Sequence, residues 1–539
     1  MEMSKKHRFA VLDPDRKNRR KKIRSVIQAA VIALLSYVLV QEVFLMKTYE
    51  TPDVPMANDD GFIAISYPGA SRDESGHSLS KDELSAHLSA LKRSGFETVS
   101  QRQVLEFYRS GSPLPEKAMY LSFEDGQRDT VIYAQPALEK LNYKATLFTY
   151  ADHLVSDDRS YLKANHLKTM MRSGYWEMAT NGYQLAYTNA FNREGHYMGE
   201  LNADEVSADM DIVRSNHPLM DFLRDENGIP KEDADRMKER ISGEYADMKE
   251  LYTRELGDLP DVYAIPRPNV LYQDMHPAVE EVNDRNIRTY YKLHFNRSGG
   301  LFNGPDDSVT DLTRLRVGPD WPVNHLLMTI REETGMRVSF ETGDQEKADR
   351  WTIRGGAAEF RGEQAILTSE PGAEVTALLK EPLPEDAIVQ ATLGKSAALG
   401  IADGTGKAVL LSVEKGQLVV RKAGKVVSKH QIPRKNETGI RLEVRDHLLH
   451  VRVNEGEDFT IDAGQLDPAE GYRLQLAGLS DGNAIEDEEN AITDAFFTNL
   501  HVTSSDSVVY SDVPSGFDKV KDKVGEWFGH LFYSLMDRF

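Results

Sequence analysis

Short apolar runs alternate with segments of helical period between residues 61 and 335. Residues 61–67 (Gly-Phe-Ile-Ala-Ile-Ser-Tyr), 119–123 (Met-Tyr-Leu-Ser-Phe) and 144–150 (Lys-Ala-Thr-Leu-Phe-Thr-Tyr) are brief, mostly apolar and bounded by turn residues, the pattern of buried strands. Between them, residues 80–95 carry apolar positions at helical spacing behind a capping box of Ser80 and Glu83 and stop at Gly95, and residues 136–143 read as a further helix. Strand, helix, strand with short connections predicts a parallel α/β domain over residues 61–335. Residues 186–256 interrupt it with an insertion that is polar, acidic and mostly helical in pattern, clearest over 235–252.

From residue 350 the period changes. Short alternating segments such as 388–393 (Ile-Val-Gln-Ala-Thr-Leu), 408–413 (Ala-Val-Leu-Leu-Ser-Val) and 448–453 (Leu-Leu-His-Val-Arg-Val) follow one another with glycine and charged turns and no helices between them. This predicts an all-β sandwich of the jelly-roll type over residues 350–506. The chain ends on residues 515–539, where Phe517, Val520, Val524, Trp527, Leu531 and Leu535 fall at helical spacing: an amphipathic helix suited to a membrane surface, a partner or the chain's own body.

The N-terminus adds a membrane element. Residues 1–24 hold ten Lys or Arg against three acids, and residues 25–46 are apolar over the length a bilayer core demands. The positive-inside rule then predicts a single-pass anchor in the cell membrane, with 1–24 cytoplasmic, 47–60 a tether and the body extracytoplasmic. A cleavable signal peptide is the alternative, but no small-x-small site follows the apolar run directly. Composition narrows the chemistry. With no cysteine in 539 residues, thiolate metal sites and cysteine nucleophiles are excluded, and a formal charge of −21, with the basic residues gathered at the start, argues against a nucleic-acid partner.

The chemistry-bearing stretch is residues 118–126, Ala-Met-Tyr-Leu-Ser-Phe-Glu-Asp-Gly. An apolar strand ending in Glu124 and Asp125 before a glycine turn aims two carboxylates at one pocket, as strand ends at the mouth of a barrel or open sheet do. A solvated turn is the plainer alternative. Residues 175–185 run Tyr-Trp-Glu-Met-Ala-Thr-Asn-Gly-Tyr-Gln-Leu after a helix with a glycine stop, and residues 263–269 run Tyr-Ala-Ile-Pro-Arg-Pro-Asn, an apolar strand ending in a proline-rich turn. His196, His217 and His276 stand singly and read as surface or satisfied histidines.

These stretches together resemble the polysaccharide deacetylase family, the nodulation-type deacetylase homology domain, whose first motif is Thr-Phe-Asp-Asp-Gly. The resemblance implies a (β/α) barrel, with Glu124 at the catalytic-base position and Asp125 at the metal-ligand position. It also implies that Asn181 and Leu185 stand where the family has the two histidines of an Asp-His-His site. Leu185 cannot ligate, and an amide oxygen from Asn181 is a weak candidate that suits hard cations better than zinc. The family's Tyr-His pair is here Tyr67-Pro68, and Arg267 falls on the third motif, where it would hold an oxyanion or a sugar carboxylate or simply pair with a nearby acid. Asp125, Asn181 and Tyr67 are the substrate-binding candidates, and Glu124 and Arg267 the catalytic ones. The C-terminal region resembles concanavalin-like and laminin-G sandwiches, many of which bind glycans.

The expected function is that of a membrane-anchored, extracytoplasmic deacetylase-like protein that binds or acts on a cell-envelope or secreted polysaccharide without standard zinc-dependent deacetylation. No cofactor is expected, and a divalent metal only if catalysis is retained. The alternatives are an active deacetylase of N-acetylated glycans with an atypical metal shell, and a scaffold subunit partnered with an exopolysaccharide synthesis or export machine. If residues 25–46 are an uncleaved anchor, protease added outside intact cells will remove the body and leave a short membrane fragment. Recovery of a soluble form beginning after Lys47 would refute the topology.

Overall fold

The computed structural model describes residues 47–512 except 73–75, 185–187, 202–211, 266–270, 272–274, 433–437, 446–447, 480–490 and positions 455, 457, 465, 468, 470 and 506, together with positions 22, 24, 25 and 28. The anchor read at 25–46 (positions 25 and 28 apart) and the amphipathic segment at 515–539 lie outside the described residues. Among the described residues, no helix is long and apolar enough to cross a membrane.

Seven parallel strands form the first domain: β1 (Phe62–Tyr67), β2 (Ala118–Phe123), β3 (Ala145–Tyr150), β4 (Trp176–Gly182), β5 (Val262–Ala264), β6 (Leu293–Ser298) and β7 (Leu312–Arg316). Because β1 pairs in parallel with both β2 and β7, the sheet closes into a barrel. Side chains alternate between its two faces. Phe62, Ala64, Tyr120, Phe148, Ala179, Phe295 and Leu312 fill the inside, while Ile63, Ile65, Tyr67, Met119, Leu121 and Phe123 pack outward into a larger core under the helices. That two-sided burial is why these strands read as near-continuous apolar runs.

The helices α1 (Lys81–Arg93), α2 (Gln101–Ser110), α3 (Arg128–Leu141), α4 (Ala164–Ser173), α5 (Ala234–Leu256), α6 (Pro277–Tyr290) and α7 (Val323–Thr334) complete the domain. Two sequence expectations change here. Ser80 caps α1 by accepting from the Glu83 amide, but the reciprocal half of the capping box is missing because the Glu83 carboxylate accepts from Arg361 at 2.6 Å instead. Residues 136–143 are only the end of α3, which starts at Arg128 and carries Pro136 internally, its buried face running through Thr130, Val131, Ala134, Ala137 and Leu138. The insertion at 186–256 is likewise not mostly helical. Its first half holds a three-stranded antiparallel sheet of Thr188–Asn192, Tyr197–Leu201 and Ile212–Asn216, and only α5 follows the helical reading. Three consecutive residues of the sheet's central strand, Asn189, Ala190 and Phe191, are buried, so there is no period-2 alternation to find.

Two antiparallel sheets form the second domain. One has seven strands, from Trp351–Arg354 at one edge to Lys425–Gln431 at the other, and the second runs from Gly356–Arg361 to Asp458–Asp462. Their inner faces share one apolar core including Leu367, Leu399, Leu411, Leu442, Val451, Leu476 and Phe497. The sandwich reaches past residue 506, because Val508–Ser511 pairs with Asp494–Thr503 and puts the buried Tyr510 ring edge-on against Trp351 at 5.2 Å. It sits against α1 and α7 through Arg361 with Glu83, Arg331 with Glu370 at 3.1 Å, and His325 Nδ1 with Asp494 Oδ2 at 2.6 Å. The contacts are a few polar pairs, of which the more exposed Arg331–Glu370 contributes less than about 1 kcal/mol, whereas the sandwich has an apolar core of its own, so that core is expected to stand alone. A fragment of residues 343–512 should unfold cooperatively in urea, and Tyr510→Ala should cost it about 3 kcal/mol. Aggregation of the fragment, with solubility only when the barrel is attached, would show that the core is shared.

Candidate functional site

Strand parity builds the site. Counting by two along β2 puts Ala118, Tyr120 and Ser122 inside the barrel, and the next inward position is Glu124, just past the strand's C-terminal end. The same count puts Ser66 of β1, Asn181 of β4 and Arg314 of β7 on the inner face. They meet on one carboxylate. The Ser66 hydroxyl donates to Glu124 Oε1, Asn181 Nδ2 donates to Oε2 at 3.1 Å, and Arg314 Nη2 lies 3.2 Å from Oε1. All four are buried. The guanidinium lies over the Phe148 ring at 4.9 Å, so the barrel's aromatic interior faces it from one side and the carboxylate from another.

Asp125 is placed differently. It adopts a left-handed backbone (φ 64°) followed by Gly126 at φ 64°, where a Cβ would lie 2.7 Å from Thr149 Cγ2. The turn therefore needs glycine at 126 and imposes strain at 125. The residue is partly buried, and its carboxylate accepts no hydrogen bond among the described residues.

Electrostatics separate the two acids. Burial alone would raise the Glu124 carboxyl, but Arg314, then Arg316 and the Ser66 and Asn181 hydrogen bonds, outweigh it and hold the group below its ordinary range. Burial draws the Arg314 guanidinium down while Glu124 lifts it; a guanidinium stays charged regardless. Asp125 goes the other way: burial, then the neighbouring Glu124 charge, push it up to about 6 against the pull of Arg316 and Arg314. Tyr150, on the inward parity of β3, is pushed well above the usual phenol value by burial and then by Asp125 and Glu124.

Of the residues singled out in the sequence, Glu124, Asp125 and Asn181 come together at the mouth. Tyr67 does not point there: by parity it faces the outer core, where its ring stacks on Phe123 at 5.6 Å and its hydroxyl lies 3.4 Å from His87 Nδ1. Arg267 and Leu185 lie outside the described residues. His217 is buried with Nε2 at 2.7 Å from the Gln184 carbonyl, and His276 caps α6 by accepting from the Ala278 amide. Ser66, Arg314, Arg316 and Tyr150 were not read as site residues. The signal for Arg314 was present: in Leu312–Arg316 an arginine at the second position after an inward leucine must itself point inward.

The donors present do not fit a zinc-type ion. Among the described residues there is no group of three or more His, Asp or Glu able to hold a metal. Asp125 offers one carboxylate, and the buried Asn181 Oδ1, which has no partner among the described residues, offers one amide oxygen. The Arg314 guanidinium beside Glu124 already supplies the positive charge there, and a second cation would be repelled.

Removing one member of a buried pair strands the other. Arg314→Met should destabilise the protein by about 3–5 kcal/mol in urea unfolding, and Glu124→Gln in the same chain should restore most of it. Because the Glu124 carboxyl is lower in the folded chain than in the unfolded one, its contribution is complete above the ordinary carboxylate range and is lost as the pH falls through it. Glu124→Gln should therefore flatten the acid limb of the stability profile. A double variant destabilised by the sum of the two single variants would show that the pair is not coupled.

Comparison with known proteins finds similarity within the barrel domain. The polysaccharide deacetylase family model matches residues 111–266. The chain is 27% identical over 154 residues to a poly-beta-1,6-N-acetyl-D-glucosamine N-deacetylase of Escherichia coli K12, covering 25% of this chain and 23% of that protein. It is 22% identical over 158 residues to a protein of the same name from Staphylococcus epidermidis, covering 29% of this chain and 53% of that one. The chain thus spans from about a quarter to about half of the length of these relatives. A solved de-N-acetylase from Aggregatibacter actinomycetemcomitans aligns with 49% of this chain and 97% of its own, at 18% identity and a TM-score of 0.38. The chain carries a polysaccharide deacetylase domain, and residues 111–266 are the matched part of it.

Proposed function

We propose that this protein binds an N-acetylated amino-sugar polymer of the cell envelope or of secreted material at the mouth of its barrel, without releasing acetate through a zinc-activated water. The ligand class is taken over from the names of the relatives. The observation that carries the rest is the state of Glu124. A general base needs a free lone pair and a pKa near the working pH. Glu124 accepts from Ser66 and Asn181, is paired with Arg314 and is held low, so it is a poor proton acceptor. Metal-assisted hydrolysis also needs several strong ligands to lower the pKa of bound water, and among the described residues the donor set beside Glu124 supplies one carboxylate and one amide oxygen. What remains is a half-open polar mouth in which Asp125 and Arg316 can hydrogen-bond sugar hydroxyls. The anchor read at 25–46 would hold this mouth at the outer membrane face, and that part of the proposal rests on the sequence.

A second reading has one observation in its favour. Asp125, pushed up to about 6 and accepting no hydrogen bond among the described residues, has more free lone pairs than Glu124, and it would be the base of a hydrolase with an unusual electrophile. Acetate release from N-acetylglucosamine oligomers, measured metal-free and with added Zn2+, beside equilibrium binding of the same oligomers, separates the two. The expected result is binding with no acetate above the blank and no stoichiometric zinc. Acetate release that vanishes in both Glu124→Gln and Asp125→Asn would establish the hydrolase, and absence of binding would overturn both readings.

A further inference from the structure

A cavity of about 750 Å3 lies between the barrel mouth and the β-sandwich, lined among others by Ser80, Asp320, Trp321, Arg361, Gln364 and Phe496. Its barrel wall is built from loops that rise from the site's own strands. Residues 76–80 follow β1, which carries Ser66, and residues 319–322 follow β7, which carries Arg314. Those strands are direct neighbours, with Arg316 opposite Ser66. Pro319 is three residues beyond Arg316, at most roughly 10 Å of chain. The cavity thus lies at a domain interface and on the C-terminal face of the barrel, beside the loops that leave the site's own strands, where ligand sites concentrate.

Both walls are held in place. Trp321 packs so close to Gly318 that a Cβ there would lie 2.5 Å from the indole, its ring lies 4.1 Å from that of His325, and its carbonyl accepts from His87 Nε2 at 3.0 Å. Across the gap, His325 bonds Asp494, whose other oxygen accepts from Thr368 Oγ1 at 2.8 Å, and Arg361 joins Glu83. Each wall presents one partly exposed aromatic ring, Trp321 from the barrel and Phe496 from the sandwich, with Gln364 and Asp320 beside them. Large amphipathic faces beside a few polar groups suit the flat, hydroxyl-rimmed faces of pyranose rings. The charges select among glycans. Among the described residues Arg361 is paired with Glu83 and Asp320 makes no ion pair, so the lining offers no unpaired cation to a polyanionic chain.

We propose that this cavity is a glycan subsite that holds further residues of the same neutral or amino-sugar chain whose end or branch occupies the barrel mouth. The proposal rests on the binding reading given above and extends it to a site that spans two domains. The test is calorimetric titration of the whole protein with N-acetylglucosamine oligomers of two and six residues. Trp321→Ala, Phe496→Ala and Gln364→Ala should each weaken the hexamer, the aromatic variants by about tenfold, and leave the dimer unchanged, whereas Asp125→Asn should weaken both. Gln364, half-buried and outside both apolar cores, keeps the test valid if an aromatic variant fails to fold. Hexamer binding by the wild type that is unaltered in all three cavity variants would overturn the subsite and leave the mouth reading standing. Failure of the wild type to bind either oligomer would overturn the mouth reading and the subsite with it.

Discussion

A carboxylate and a guanidinium buried side by side inside a closed barrel set the terms for everything around them. Glu124 follows β2, Arg314 lies on β7, and Ser66 belongs to β1, the strand between them that closes the cylinder. Each charge would be costly alone in that interior, and together with the Ser66 and Asn181 hydrogen bonds they form a satisfied unit. The pair spans the closing seam, and its register depends on the ladder that places Ser66 opposite Ser122 and Arg316 opposite Ser66. The arrangement uses the carboxylate to hold the barrel mouth in one geometry.

Much of this was legible in the residues. The closed sheet gives its strands two buried faces, so β1, β2 and β3 stand out as apolar runs, and the acids at the end of β2 mark the mouth. Arg314 was missed because a charged residue in a strand is ordinarily read as facing solvent, and only the parity of Leu312 reveals that it points inward. Tyr67 was misplaced for the opposite reason: adjacency to a family position drew attention to it, although odd positions of β1 face the helices. The sheet of the insertion escaped notice because its buried residues Asn189, Ala190 and Phe191 are consecutive rather than alternating, and the final strand Val508–Ser511 was lost because it follows a serine-rich turn.

The two domains meet through polar contacts that also reshape local structure. Glu83 leaves the capping box of α1 to receive Arg361 from the sandwich, and Asp494 is shared between His325 of α7 and Thr368 of its own sheet. A helix start and a helix face of the barrel are therefore set in part by the neighbouring domain. The loops that shape the mouth precede those same two helices, so the position of the sandwich is registered at the site without any residue of the sandwich touching Glu124.

The backbone at Asp125 has an implication for how this chain would drift. A non-glycine residue in a left-handed conformation, immediately before a glycine in the same region, is disfavoured by its own Cβ. Glycine at position 125 would relieve that strain and asparagine would tolerate the conformation as well, so selection for folding alone gives no advantage to an aspartate there. The negative charge is the one thing this position gains over its better-fitting rivals. A chain library sorted only for heat resistance should accordingly lose the carboxylate early, and one sorted for glycan retention should keep it, which makes this single position a recorder of which demand the protein is under.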